Sequence, residues 1–146
     1  MNIQIATTDN DIQACYTVMS ELRPHIPEDA FVERVRDMQR QGYVLVAAME
    51  EGAVVAVAGV RIDENLAWGR FLYVADLVTK ENCRSRGYGK ALLSWLREFA
   101  KAEGCAQMHL DSGMQRKDAH RFYLREGMEI LGYHFSENLC EDTALA

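Results

Sequence analysis

Apolar and polar positions along the chain change period several times, and each change marks an element. Ile3 and Ile5 alternate with polar neighbours, which predicts a short first strand. Thr8-Asp9-Asn10 offers a helix cap, and Ile12, Cys15, Tyr16, Met19 and Leu22 follow at helical spacing, one helix that Pro24 stops. Pro27-Glu28-Asp29 opens a second helix striped by Phe31, Val32, Val35 and Met38, and Gly42 ends it. Tyr43 to Met49 and Ala53 to Ile62 read as strands joined across Glu50-Glu51-Gly52 in an antiparallel hairpin. Asp63-Glu64-Asn65 is expected to break the sheet, and Phe71 to Thr79 forms the next strand. From Gly87 onward Leu92, Trp95, Leu96 and Phe99 return to helical spacing, and Gly104 stands where a C-terminal cap belongs. Ala106, Met108 and Leu110 alternate with polar residues. That strand follows a βαβ crossover from Phe71–Thr79, so the two should be parallel. A short helix over Asp118–Glu126, capped by Gly127, precedes final strand pieces at Met128–Leu131 and Tyr133–Phe135. The pattern is α/β with a mixed sheet, in a single domain over residues 1–146.

Composition narrows the function. Apolar residues make up 49% of the chain and charged residues 26%, the balance of a soluble globular protein. A net charge of −6 argues against nucleic acid as a partner. Cys15, Cys83, Cys105 and Cys140 show no metal-binding spacing, so no metal is expected. Neither a signal peptide nor a run of the ~20 apolar residues that spans a bilayer is seen. These features predict a cytoplasmic protein with free thiols and no membrane partner.

One stretch is locally basic. Lys80 to Ser85 is a polar turn between the Phe71–Thr79 strand and the helix that begins near Gly87, and Arg84, Arg86 and Lys90 cluster there. Strand, glycine-bearing basic loop and helix together present unpaired N–H groups and a helix dipole to a phosphate. The dinucleotide pattern fails, because Leu92 stands where a third glycine is needed, and Gly-Lys-Ser/Thr is absent.

What stands instead is Arg84-x-x-Gly87-x-Gly89, which resembles the acyl-CoA-binding motif of the GNAT superfamily of N-acetyltransferases. Ala119-His-Arg-Phe-Tyr123-Leu-Arg-Glu-Gly127-Met128 looks like the second landmark of that superfamily. Between Arg116 and Gly127 the chain most resembles the aminoalkylphosphonate acetyltransferases. Two residues depart from the usual pattern: Arg116 stands where Asn is frequent, and Asp76 where Glu is frequent. The resemblance implies a GNAT-like fold with a sheet of about six to seven strands and about four helices. It implies acetyl-CoA as co-substrate, held by Leu77, Val78, Thr79, Arg84, Ser85, Arg86, Gly87, Tyr88, Gly89 and Lys90. In this picture the backbone of Leu77 and Val78 pairs with pantetheine and supplies an oxyanion donor.

The expected activity is transfer of acetyl to a primary amine of a small molecule, directly in a ternary complex. Such a reaction needs the two substrates held together, a polarised carbonyl and managed protons. Tyr123 is the candidate acid for the thiolate, and Asp76 the candidate acceptor of the amine proton, directly or through water. Phe122 and Tyr123, about 100° apart on a helix, are expected to face different surroundings. Asp111, His120 and His25 are the candidate substrate contacts, and His109 is expected to be solvated. A homodimer is the expected assembly. Acetylation of a protein or peptide amine, or a non-catalytic acyl-CoA-binding module, are the competing readings.

Overall fold

The computed structural model describes residues 1–140. Its elements are β1 (Asn2–Ile5), α1 (Asp9–Ala14), α2 (Tyr16–Leu22), α3 (Glu28–Gln39), β2 (Tyr43–Glu50), β3 (Ala53–Asn65) and β4 (Gly69–Thr79). A single 3₁₀ turn over Glu81–Cys83 leads to α4 (Tyr88–Ala102), β5 (Gln107–Leu110) and α5 (Lys117–Arg125). The chain divides into two compact units, Met1–Leu110 and Asp111–Ala146.

In the first unit the five strands lie in sequence order, β1-β2-β3-β4-β5, antiparallel except for the parallel β4–β5 pair. The hairpin between β2 and β3 turns at Glu51 and Gly52, both at positive φ, the conformation that matches strand twist in a two-residue loop. Both faces of the sheet are covered. Leu45, Ala47, Val57 and Val78 pack with Ile12, Val18, Met19, Phe31 and Val35 of α1–α3. Val46, Ala48, Ala56, Ala58, Val60, Leu72 and Val74 pack with Leu92, Leu96 and Ala100 of α4. Burial on two sides explains why β2 and the middle of β3 read as unbroken apolar runs.

Three features of this unit differ from the expectation. The single first helix is two: at Cys15 the N–H donates to the Ile12 carbonyl, three residues back, at 3.0 Å, and the buried thiol donates to the Asp11 carbonyl at 3.4 Å. Thr8 caps α1 in a reciprocal box with Asp11. The β3 strand does not break at Asp63-Glu64-Asn65: it pairs with β4 as far as Asn65↔Gly69, with the acidic side chains in solvent. An antiparallel ladder runs on through polar residues where their side chains face water, as these do. His109 is half-buried rather than fully solvated: its ring stacks on Trp68 at 3.6 Å and meets Phe71 edge-on at 5.6 Å.

In the second unit α5 ends in a Schellman turn. Gly127 takes φ +92, its N–H donates to Leu124 O and that of Met128 donates to Tyr123 O. Residues 128–140 carry no strand, so the expected pieces at Met128–Leu131 and Tyr133–Phe135 are absent, and the sheet of the described residues has five strands rather than six or seven. Apolar side chains in that segment supplied the alternation; no ladder partner accompanies it.

Candidate active site

The β4 strand carries a bulge that decides where its one acid points. The register with β3 runs Val74↔Val60 and then Asp76↔Gly59, leaving Ala75 as the extra residue. An inserted residue flips every later side chain to the opposite face. Leu72 and Val74 pack towards α4, and continued alternation would send Asp76 there too. Instead Leu77 packs on the α4 side and Val78 on the α1–α3 side, and Asp76 meets groups of that second face. Its Oδ1 accepts from Arg23 Nε at 2.9 Å and its Oδ2 from the Tyr43 hydroxyl at 2.8 Å. Arg23 also donates through Nη2 to the carbonyl of the bulge residue Ala75 at 3.0 Å. Burial and the Asp76 charge hold the Tyr43 phenol well above its usual range, so it is a proton donor to the carboxylate. Gly59 completes the arrangement: a Cβ there would stand 1.7 Å from Tyr43 Oη and 2.5 Å from Asp76 Oδ2.

Sequence reasoning found Asp76 and missed Arg23, Tyr43 and Gly59. One signal was available, the slip of alternation between Val74 and Leu77, which marks a bulge.

The same strand has an unpaired edge. The β5 strand pairs only with Phe71 to Val74 and ends at Leu110, whereas β4 runs on to Thr79. On that side residues 75–79, including Leu77, Val78 and Thr79, have no strand partner among the described residues. The backbone groups facing that side, apart from the Ala75 carbonyl that Arg23 holds, form a template for an extended ligand.

The edge leads into the basic loop. Lys80 N–H donates to Val55 O at 2.8 Å, and Glu81 N–H to Glu21 Oε1 at 2.9 Å. Arg84 Nε lies 3.4 Å from Thr79 O. Ser85 and Gly87 both take positive φ, +65° and +85°. Gly87 is the N-cap of α4 and gives no side-chain hydrogen bond, so the first N–H groups of the helix, at Tyr88, Gly89 and Lys90, lack a side-chain cap. A Cβ at Gly87 would meet nothing within 4 Å, so backbone conformation, not crowding within the protein, calls for glycine there. Arg84, Ser85, Arg86 and Lys90 are exposed. Tyr88 is turned away, its hydroxyl donating to Glu50 at 3.3 Å, and Glu50 also pairs with the Met1 amino group.

Of the other expected contacts, His25 is exposed in the α2–α3 loop. In the second unit, Tyr123 is half-buried on α5, and desolvation holds its phenol above the usual range against a smaller opposing effect of Arg116. Its ring meets that of Phe122 edge-on at 5.3 Å. His120 Nε2 lies 2.7 Å from Gly113 O, and Asp111 faces His134 at 3.6 Å. Among the described residues no three His, Cys, Asp or Glu side chains gather as metal ligands, and no helix is long and apolar enough to cross a membrane.

Residues 6–128 match the model of the acetyltransferase (GNAT) family. The chain belongs to the GNAT acetyltransferase family. Its enzyme class is that of the acetyl-CoA-dependent N-acetyltransferases. The chain is 38% identical over 131 residues to the uncharacterized N-acetyltransferase YhdJ of Bacillus subtilis (strain 168), covering 88% of this chain and 92% of that one. It is 31% identical over 93 residues to the aminoalkylphosphonate N-acetyltransferase of Salmonella typhimurium, covering 63% and 60%. The GNAT fold is shared with the aminoglycoside acetyltransferase AAC(6')-Iy solved with a CoA bisubstrate analogue, at TM-score 0.81 and 18% identity over 95% of this chain and 98% of that one. A putative acetyltransferase from Agrobacterium tumefaciens superposes at TM-score 0.81 with 25% identity over 94% and 99%.

Proposed function

We propose that this GNAT enzyme moves acetyl from acetyl-CoA to the primary amine of a small molecule, by direct attack within a ternary complex. The observation that carries the reading is the continuity of the open β4 edge at residues 75–79 with the uncapped start of α4. An acyl-pantetheine arm pairs along that edge, with Leu77 and Val78 supplying backbone groups. Its pyrophosphate accepts from the N–H groups at Tyr88, Gly89 and Lys90, with Arg84, Ser85 and Arg86 around it. Edge N–H groups oriented before binding stabilise the oxyanion without reorganisation.

Proton handling follows from the surroundings of two groups. Tyr123, protonated at neutral pH, is the proposed donor to the departing CoA thiolate. Asp76 has both oxygens engaged by Arg23 and Tyr43, so the ammonium proton is assigned to water and Asp76 to holding the bulge. The small-amine acceptor is supported by the aminoalkylphosphonate relative and the similarity over Arg116–Gly127.

The test is release of CoA thiol from acetyl-CoA with n-propylamine, 2-aminoethylphosphonate, spermidine, glycine and a lysine peptide. Turnover with a small amine and none with the peptide supports the reading. Turnover with the peptide alone overturns the acceptor class, and acetyl-CoA binding without turnover leaves a binding module.

A further inference from the structure

Two side chains of one helical turn grip both ends of the open β4 edge. Arg23, the residue after α2, takes the Ala75 carbonyl and the Asp76 carboxylate at the bulge. Glu21, two residues earlier, takes the Glu81 N–H where the edge passes into the phosphate loop. The turn itself is secured from behind. Tyr16 Oη donates to Ile26 O at 2.7 Å, Ile26 N–H donates to Arg23 O, and the Tyr16 ring meets Phe31 edge-on at 5.3 Å.

A bulge left to itself is free to move, because the extra residue has no ladder partner. Here three protein donors fix it: Arg23 Nε, Arg23 Nη2 and the Tyr43 hydroxyl. The planar guanidinium engages a side chain and the preceding backbone carbonyl at once, a geometry an ammonium cannot copy. What the clamp fixes is the orientation of the Ala75–Asp76 peptide, and through it the N–H groups that follow along the open edge.

We propose that Arg23 is a positioning residue for acetyl transfer: it sets the β4 bulge so that the edge N–H groups meet the thioester oxygen. The inference rests on the proposed placement of the acyl arm along residues 75–79. Arg23 exchanges no proton and forms no bond with either substrate. Glu21 holds the distal end of the same edge, and its effect falls on the phosphate loop.

The experiment needs no acceptor amine. Acetyl-CoA labelled with ¹³C at the carbonyl is bound to wild type, Arg23→Ala, Arg23→Lys and Glu21→Gln. Calorimetry reads affinity, difference infrared spectroscopy reads the C=O stretch, and a melting curve checks folding. The expected result is a lowered carbonyl frequency in wild type that returns towards the free value in Arg23→Ala and Arg23→Lys, with affinity within about threefold. In Glu21→Gln, whose amide oxygen still accepts from the Glu81 N–H, the frequency stays shifted and affinity stays within about threefold. A folded Arg23→Ala or Arg23→Lys with the wild-type frequency overturns the proposal. If Arg23→Ala does not fold, Arg23→Lys decides alone. No shift in wild type itself instead removes the placement of the thioester on the edge, a separate failure.

Discussion

Replacing Gly59 with alanine adds one methyl group at the centre of the first unit, and the geometry says what it strikes. The new Cβ would lie 1.7 Å from Tyr43 Oη, 2.3 Å from its Cζ and 2.5 Å from Asp76 Oδ2. Tyr43 is buried in strand β2 and cannot swing into solvent without leaving the core. The phenol must therefore leave Asp76, and a hydrogen bond to a charged acceptor is lost, about 1.5–3 kcal/mol. Forcing the methyl into packed strands costs about 1–3 kcal/mol more. The sum, about 2.5–6 kcal/mol, is a large part of the roughly 5–15 kcal/mol that holds a domain folded. For a chain of this size the melting temperature should fall by about 10 °C or more. Calorimetry on Gly59→Ala, Tyr43→Phe and the double variant tests the mechanism as well as the size. Both changes break the same hydrogen bond, so the double variant should be less destabilised than the sum of the singles by about 1 kcal/mol or more. Strict additivity, or a Gly59→Ala variant within about 0.5 kcal/mol of wild type, would refute the crowding argument.

Tyr123→Phe should keep acetyl-CoA affinity and lower turnover by about 10²–10⁴-fold, the contribution of a positioned general acid; wild-type turnover removes the residue from the mechanism. Gly89→Val should abolish acetyl-CoA binding with the fold intact, and Arg84→Ala should weaken it less because its charge is exposed; calorimetry separates the two. Alkaline stability is set by groups whose proton is held more tightly in the fold. Burial pushes the Cys15 thiol up to about 12 from an ordinary 9.0, and the Tyr43 phenol is raised as well. Folded-state values above the unfolded ones give stability that is complete below pH 9.0 and is lost as pH rises towards about 12. Chemical denaturation at pH 8, 10 and 11 should show the decline, and a flat profile contradicts it.

Much of the first unit was legible because its elements follow simple periods. The hairpin at Glu51-Gly52 and the parallel β4–β5 pair each had a local cause in sequence. The phosphate loop was legible for the same reason, since glycine and charge spacing within one turn is local information. The clamp was not. Arg23, Tyr43 and Asp76 belong to three separate elements, and only the bulge at Ala75 brings the carboxylate to the face where the other two stand. The split at Cys15 was hidden because the apolar stripe continues in phase across it. The tail misled in the opposite sense: alternation from Met128 to Phe135 describes which residues are apolar, and a ladder also needs a neighbouring strand.

Sequence-order strands have a consequence for how the sheet comes to exist. With order β1-β2-β3-β4-β5, pairings β2–β3 and β3–β4 close across loops of two and three residues. Short loops cost little closure entropy, and topologies rich in local contacts reach their transition state quickly. The three-stranded meander β2–β3–β4 can therefore zip from the Glu51-Gly52 turn outward before either flank is in place. Attaching β1 requires closing the helical stretch between Ile5 and Tyr43, and attaching β5 requires closing across α4. Assembly should thus begin in the β2–β3 hairpin and next take up β4, the strand that carries the bulge, with the helices that clamp it and cap it arriving last.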